Sequence, residues 1–123
     1  MLTVYVIRSE SADIDKLITS FGDIDFQLVL LDNPPDFNKK PDTKWKMFLY
    51  SNEYLEDDLQ TSLKEYLQQD VYDYFNIYST KDHKFYVSPR LFKKEVVIEN
   101  HTVYPKSVGL QYTSILDGFI ICQ

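Results

Sequence analysis

Glycine is scarce in this chain of 123 residues, which contains three glycines. Loops that cradle phosphate groups depend on glycine, because their backbone approaches the phosphate closely and adopts positive φ angles. Neither the G-x-G-x-x-G pattern nor the G-x-x-x-x-G-K pattern occurs in the sequence. A glycine-rich phosphate loop is therefore not expected.

Cysteine is scarcer still, because Cys122 is the one cysteine in the chain. A single cysteine excludes an intramolecular disulfide bond and favours the reducing cytoplasm as the location of the protein. The apolar residues before it predict a buried thiol that does not act as a nucleophile. With one cysteine and two histidines, His83 and His101, a tetrahedral zinc site is not expected. The sequence also lacks a signal-peptide pattern, and no apolar run approaches the roughly 20 residues of a membrane span.

Basic residues are fewer than acidic residues, and the formal net charge is −6. An acidic surface repels nucleic acids and anionic membranes, so neither is expected as a partner. The charges are uneven, since residues 51–73 contain seven acids and one lysine, whereas residues 81–106 contain six bases and three acids. Such runs are typical of solvated faces. The alternative is that the second run forms a basic edge that meets an anionic ligand such as a nucleotide.

Apolar and aromatic residues, in contrast, are plentiful. The chain is 44% hydrophobic and 15% aromatic, with ten tyrosines and eight phenylalanines. This composition indicates a folded chain. The length fits one domain, residues 1–123, with a substantial hydrophobic core.

The first thirty residues predict a strand–helix–strand unit. Residues 2–7 and 25–31 are rich in β-forming apolar residues, which predicts two buried strands. Between them, the apolar residues from Ile14 to Phe21 recur with helical spacing, and Gly22 is placed to end the helix. Two strands joined by one helix are expected to be parallel, with a right-handed crossover.

Residues 45–50 predict a third buried strand, followed by a polar turn and a helix over about residues 53–68. The helix is indicated by leucines at every fourth position, namely Leu55, Leu59, Leu63 and Leu67. Asn52 is the expected N-cap. Open α/β sheets place ligands where a strand ends before a helix, so residues 50–53 are the first candidate for a site.

The rest of the chain predicts antiparallel strands. Residues 32–44 contain three prolines and form a loop, and residues 71–87 form a hairpin. Residues 96–99 predict a short strand, and residues 112–122 fit either a strand or a short helix. The predicted fold class is α/β or α+β, with a small mixed sheet opened by a βαβ unit, two helices, and antiparallel strands in the C-terminal half.

Several motifs along the chain occur in a familiar order. They are the opening LTVYVIRSES, the segment KWKMFLYSNEYL at residues 44–55, the aromatic strand at residues 74–78, and PRLFK at residues 89–93. In order and pattern they resemble the family-2 glycosyltransferases of the GT-A fold, nearest the bacterial type that adds hexose to lipopolysaccharide core sugars. The resemblance touches residues 1–105 and implies a truncated GT-A-like sheet that binds a nucleotide sugar.

The resemblance also implies site residues. It places the nucleotide near Arg8, Ser9 and Asp32. Apart from the resemblance, Arg90 and Lys93 of the basic run, together with His101, are the candidates for an acceptor-binding or basic edge.

The metal site of this family is eroded in the present chain. The family holds a divalent cation with an aspartate-x-aspartate triplet, which aligns here with Tyr50-Ser51-Asn52, so both aspartates are absent. Glu53, with Asn52, is the remaining candidate to hold Mg²⁺ or Mn²⁺, since such cations prefer anionic oxygen ligands.

Two functions are expected. The first is a glycosyltransferase-like protein with weak or no catalysis, whose partner is a nucleotide sugar. The second is a non-enzymatic acidic interaction protein, an inhibitor or accessory factor with a protein partner, suggested by the acidic helix and by tyrosines on one face of residues 72–78. The richness in Asn, Lys, Ile, Tyr and Phe also suits an AT-rich source such as a phage.

Overall fold

The computed structural model describes residues 2–9, 14–31, 41–69, 71–96, 98–99, 106–107 and 113–123. Along these residues the elements are β1 (Leu2–Ile7), α1 (Ile14–Ser20), β2 (Phe26–Leu31), β3 (Trp45–Tyr50), β4 (Glu53–Leu55), α2 (Asp57–Tyr66), β5 (Tyr74–Lys81), β6 (Lys84–Lys93), β7 (Ile98–Glu99), β8 (Lys106–Ser107) and β9 (Thr113–Cys122). Seven strands form one mixed sheet in the order β2-β1-β3-β6-β5-β9-β4, and β7 pairs with β8 separately. The predicted class, a mixed sheet with two helices, is confirmed.

The opening βαβ unit is present as predicted. Strand β1 pairs in parallel with β2 on one side and with β3 on the other, and all six of its residues are buried. Helix α1 ends at Gly22, which has a φ of 60° and so takes the left-handed conformation common at this position. Its N–H donates to the carbonyl oxygen of Thr19 at 3.0 Å.

Strand β2 is less buried than predicted. Of its six residues, Leu31 is fully buried, whereas Leu30 remains 45% exposed. The reason is position, because β2 lies at the edge of the seven-stranded sheet and has one neighbouring strand there, β1. An apolar run cannot by itself distinguish an edge strand from a central one.

The helix predicted from residue 53 begins later. Residues Glu53–Leu55 form β4, and α2 starts at Asp57 with Glu56 as its N-cap. Asn52 is therefore not the N-cap. Its carbonyl oxygen instead accepts a hydrogen bond from the N–H of Gln123 at 2.8 Å. The end of β9 pairs with residues 53–55 and holds them extended.

The predicted hairpin is present, with longer strands. Strands β5 and β6 are antiparallel and are joined by Asp82 and His83, which have φ angles of 52° and 64°. Strand β6 continues through Pro89 and Arg90, which the sequence placed after the hairpin. The last segment, Thr113–Cys122, is a strand and not a helix, and it pairs in parallel with β5.

Both helices pack on one face of the sheet. The larger core contains the four spaced leucines of the α2 region, all buried as predicted, together with Trp45 and Phe75 from the sheet. The indole N–H of Trp45 donates to the carbonyl oxygen of Leu67 at 2.8 Å and ties β3 to the end of α2. On the opposite face, a second core contains Tyr5, Phe48 and Phe92. Neither described helix is long and apolar enough to cross a membrane.

Candidate functional site

The carboxyl ends of β1 and β3 lie side by side. Because β2 and β3 flank β1 on opposite sides, the chain changes direction across the sheet at this point, and a crevice forms outside the two strand ends. Ser9 follows β1 and Ser51 follows β3. The N–H of Ser9 donates to Ser51 Oγ at 2.8 Å, and the two hydroxyl oxygens are 3.0 Å apart. These bonds hold the two strand ends together.

A β-bulge in β6 opens the sheet beside this crevice. In the pairing of β5 with β6, Leu91 lies opposite Phe75 and Pro89 lies opposite Asn76, so Arg90 is an extra residue without an opposite partner. Strand β6 pairs with β3 over three residues and then diverges. A bulge redirects the side chain of its extra residue. Here it turns Arg90 towards β4.

Arg90 forms a buried ion pair with Glu53. Its Nη1 lies 2.8 Å from Glu53 Oε1, and its Nη2 lies 2.9 Å from Oε2. Arg90 also donates to the carbonyl oxygen of Phe48 and, through Nε, to Ser88 Oγ, both at 3.1 Å. Glu53 Oε1 accepts a further bond from the N–H of Tyr50 at 2.7 Å. The two residues are 1% and 6% exposed, so solvent screens this pair little.

A pocket of about 190 Å³ lies next to the pair, where six strands come together. It is lined by Ser9, Tyr50, Asn52, Glu53, Ser79, Thr80, Lys81, Tyr86 and Cys122. A wider depression of about 440 Å³ adjoins it and shares Thr80, Lys81 and Cys122 with it. Hydroxyl, amide and aromatic groups dominate the pocket, together with one ammonium group. These groups suit a polar ligand with an anionic part.

Residues 50–53, the first candidate from the sequence, contribute directly to this pocket. Three of the predicted site residues, Ser9, Asn52 and Glu53, line it. Arg8 is exposed at the end of β1 and is not among the lining residues. Asp32 and His101 lie outside the described residues.

The predicted basic edge requires correction. Arg90 is buried against Glu53 and does not reach an exposed edge. Lys93 lies opposite Trp45, at the start of β3, because β6 runs antiparallel to β3. Its Nζ is 4.0 Å from Asp73. Lys93 therefore lies three residues beyond Arg90 along β6, on the side away from the pocket, and the two residues do not form one exposed basic edge.

The predicted cation ligands, Asn52 and Glu53, do not fit a metal. Both carboxylate oxygens of Glu53 accept hydrogen bonds from the Arg90 guanidinium, and a positive charge at that position disfavours a second cation. The side-chain amide of Asn52 donates to Cys122 Sγ at 3.3 Å. Within the part of the chain that the structure describes, no three His, Cys, Asp or Glu side chains are grouped to hold a metal ion.

Cys122 is half-buried and lines the pocket, so the prediction of a buried thiol is wrong. It lies opposite Glu53 in the pairing of β9 with β4. Partial burial, and then the negative charge of Glu53, raise the pKa of the Cys122 thiol. A raised pKa leaves less of the thiol as thiolate at neutral pH, which makes it a weaker nucleophile.

Sequence reasoning missed the wall of the pocket formed by β5, β6 and β9. Ser79, Lys81 and Tyr86 reach it because the hairpin extends past the end of β3. Residues 79–81 are all polar, so no apolar alternation marks the continuation of β5 to Lys81. The parallel pairing of β9 with β5 joins residues about forty positions apart and has no local signal.

Comparison with known proteins identifies no family for this chain, because neither a protein-family model nor a curated protein sequence matches it.

Proposed function

We propose that this chain is a glycosyltransferase-like protein that binds a nucleotide sugar in the pocket beside residues 50–53, with weak or no sugar transfer. One observation carries the proposal: the Arg90 guanidinium is held by Glu53 beside the segment that resembles the family's metal-binding triplet. The pair lies where the family holds its divalent cation, and because both carboxylate oxygens of Glu53 are bound to Arg90, Glu53 is not available as a metal ligand. Ligand binding is therefore expected to be independent of metal.

The position of the pocket supports this proposal. It lies outside the carboxyl ends of β1 and β3, where open α/β sheets bind their ligands. The order of elements on which the resemblance rests is also present, with a βαβ unit, a strand that ends at Tyr50, a helix and a hairpin. Ser9 and Asn52 bring polar groups to the pocket that suit hydroxyl and phosphate oxygens.

The loss of the metal ligands argues against efficient catalysis. A divalent cation lowers the barrier to departure of a diphosphate by neutralising its developing charge. The Arg90 guanidinium is already neutralised by Glu53, so it offers less charge to a leaving group than a divalent cation does. Binding without rapid transfer is the expected result.

Titration calorimetry with uridine diphosphate sugars tests the proposal. We expect binding whose affinity changes less than about twofold between buffer with Mn²⁺ and buffer with EDTA, because Glu53, the remaining candidate metal ligand, is already bound to Arg90. Amide chemical shifts at Ser9 and Asn52 are expected to move on binding. Absence of both heat and shift changes would contradict nucleotide-sugar binding. Binding that disappears in EDTA would contradict metal-independent binding.

A second function, that of a non-enzymatic interaction protein, is favoured by a separate observation. The face of β5, β6 and β9 opposite α2 exposes apolar side chains, with Phe85 71% exposed, Val87 54% and Ile115 48%. Tyr78 lies opposite Val87 across the hairpin and is 39% exposed. Adjacent exposed apolar groups mark surfaces that bind other proteins. The occupant in this function is a partner protein with its own apolar surface.

Affinity purification with matched variants tests this second function. A genuine partner is expected to bind the wild-type chain and to be lost from Phe85→Ser/Val87→Lys, because the charge disrupts an apolar contact. Ile18→Ser serves as the control, since Ile18 is 43% exposed on α1. A partner retained by the double variant, or lost equally from Ile18→Ser, would rule out this face.

A further inference from the structure

The pocket has one cation among its described lining residues, Lys81. Arg90 lies nearby, but its charge is neutralised by the bidentate contact with Glu53. Lys81 is exposed and makes no salt bridge within the described part of the chain. Its charge is therefore available to a ligand.

The hairpin fixes the position of Lys81. It is the last residue of β5 and is followed by a two-residue turn in which Asp82 and His83 both have positive φ angles, 52° and 64°. Turns of this kind hold the two strands of a hairpin in a defined register. The backbone of Lys81 is therefore held in register at the rim of the pocket.

The residue opposite Lys81 in the hairpin is Lys84. Like charges directly opposite each other in a sheet are destabilising. An anion bound between the two ammonium groups would relieve this repulsion. The pairing therefore places two exposed ammonium groups at the end of the hairpin.

The size of the pocket limits which part of a ligand it can hold. Its volume of about 190 Å³ is below the roughly 300–1,000 Å³ of sites for drug-sized ligands, so a whole nucleotide sugar also needs the adjoining depression. Thr80, Lys81 and Cys122 line both cavities and mark the boundary between them. A ligand that spans the boundary passes Lys81.

We propose that Lys81 binds a phosphate group of the ligand at this boundary, so that the ligand class is a phosphate-linked sugar. This inference rests on the proposed function and assigns the anion contact to a residue outside the segments that resemble the glycosyltransferases. The ammonium group donates to phosphate oxygens, while the hydroxyl groups and the Asn52 amide of the inner pocket meet the sugar.

The test uses Lys81→Met, which keeps the apolar stem and removes the charge. Affinity for a uridine diphosphate sugar is expected to fall about tenfold or more, because hydrogen bonds to charged groups are the strong ones. The wild-type affinity is also expected to decrease with added salt more steeply than that of Lys81→Met. Lys16→Met is the control, since Lys16 is exposed on α1 and lines a different depression. It is expected to bind like the wild-type chain.

Cys122 gives a readout of ligand binding that does not depend on activity. Because it borders both cavities, a bound ligand is expected to slow its alkylation by iodoacetamide, measured above neutral pH because the thiol pKa is raised. Alkylation rates of the wild-type chain and of Lys81→Met are compared with a hexose 1-phosphate and with a uridine diphosphate sugar.

The outcomes separate this inference from the proposed function. If Lys81→Met binds the nucleotide sugar as tightly as the wild-type chain, or if Lys16→Met weakens binding equally, the role of Lys81 is overturned and the proposed function stands. If a hexose 1-phosphate alone protects Cys122 and Lys81→Met removes the protection, the role of Lys81 stands and the nucleotide part of the function falls. If neither compound binds the wild-type chain, both fall.

Discussion

Arg90→Met is expected to lower the free energy of unfolding by about 3–5 kcal/mol. The substitution leaves the Glu53 carboxylate buried with the N–H of Tyr50 but without its two guanidinium bonds. Breaking one side of a buried ion pair is costly, because the remaining charge has lost its partner and is little exposed to water. Urea unfolding followed by the fluorescence of Trp45, the one tryptophan in the chain, measures the change.

Two further variants distinguish a buried pair from a general loss of charge. In the double variant Arg90→Met/Glu53→Gln, neither charge remains, so the loss is expected to be smaller than the sum of the single losses. Lys64→Met removes the exposed bridge between Lys64 and Asp23 at 2.9 Å, and a small effect is expected because solvent already screens that pair. An Arg90→Met variant as stable as Lys64→Met would contradict the buried pair.

Gly118→Ala is the second substitution with a large expected effect. Gly118 has a φ of 102° in a bulge of β9, a conformation that other residues rarely adopt. A Cβ at this position would lie 2.3 Å from the backbone nitrogen of Leu59 and 2.6 Å from its Cα. Backbone strain costs about 1–3 kcal/mol, and overpacking adds about 1–3 kcal/mol. We expect a loss of about 3 kcal/mol or more, measured by the same urea unfolding.

Gly22→Ala is the matched control for this prediction. Gly22 also has a positive φ, 60°, but a Cβ at this position would first meet the side-chain amide of Gln60, which can rotate away. The expected cost is that of the left-handed conformation alone, about 1–2 kcal/mol. Equal losses in the two variants would show that the contact between β9 and α2 is looser than the geometry indicates.

Periodic apolar patterns correctly predicted the elements whose burial produces a regular spacing in the local sequence. Strands β1 and β3 and the buried leucines of α2 were correct, because burial on one face leaves a spacing that can be read directly. The location of the pocket at residues 50–53 also followed from the sequence, since a strand that ends before a helix has a general tendency to bind ligands.

The features that were not predicted from the sequence depend on pairing with strands that are distant in the sequence. Strand β4 has three residues and exists because residues 120–122 pair with it. The burial of Arg90 follows from a bulge defined by the pairing of β5 with β6 and by the divergence of β6 from β3. In the sequence, the same arginine precedes two lysines, which is why a basic edge was predicted.

The place of β9 in the sheet has a consequence for how the chain folds during synthesis. Strand β9 lies between β5 and β4 and contacts both, so residues 113–122 complete a sheet whose other strands were synthesised earlier. Contacts over such sequence separations slow folding, because loop closure must come before pairing. A nascent chain that has not yet released residue 122 from the ribosome has no partner for β4 and lacks the pocket wall that carries Cys122. The pocket is therefore expected to form after the parallel strands β1, β2 and β3 are in place.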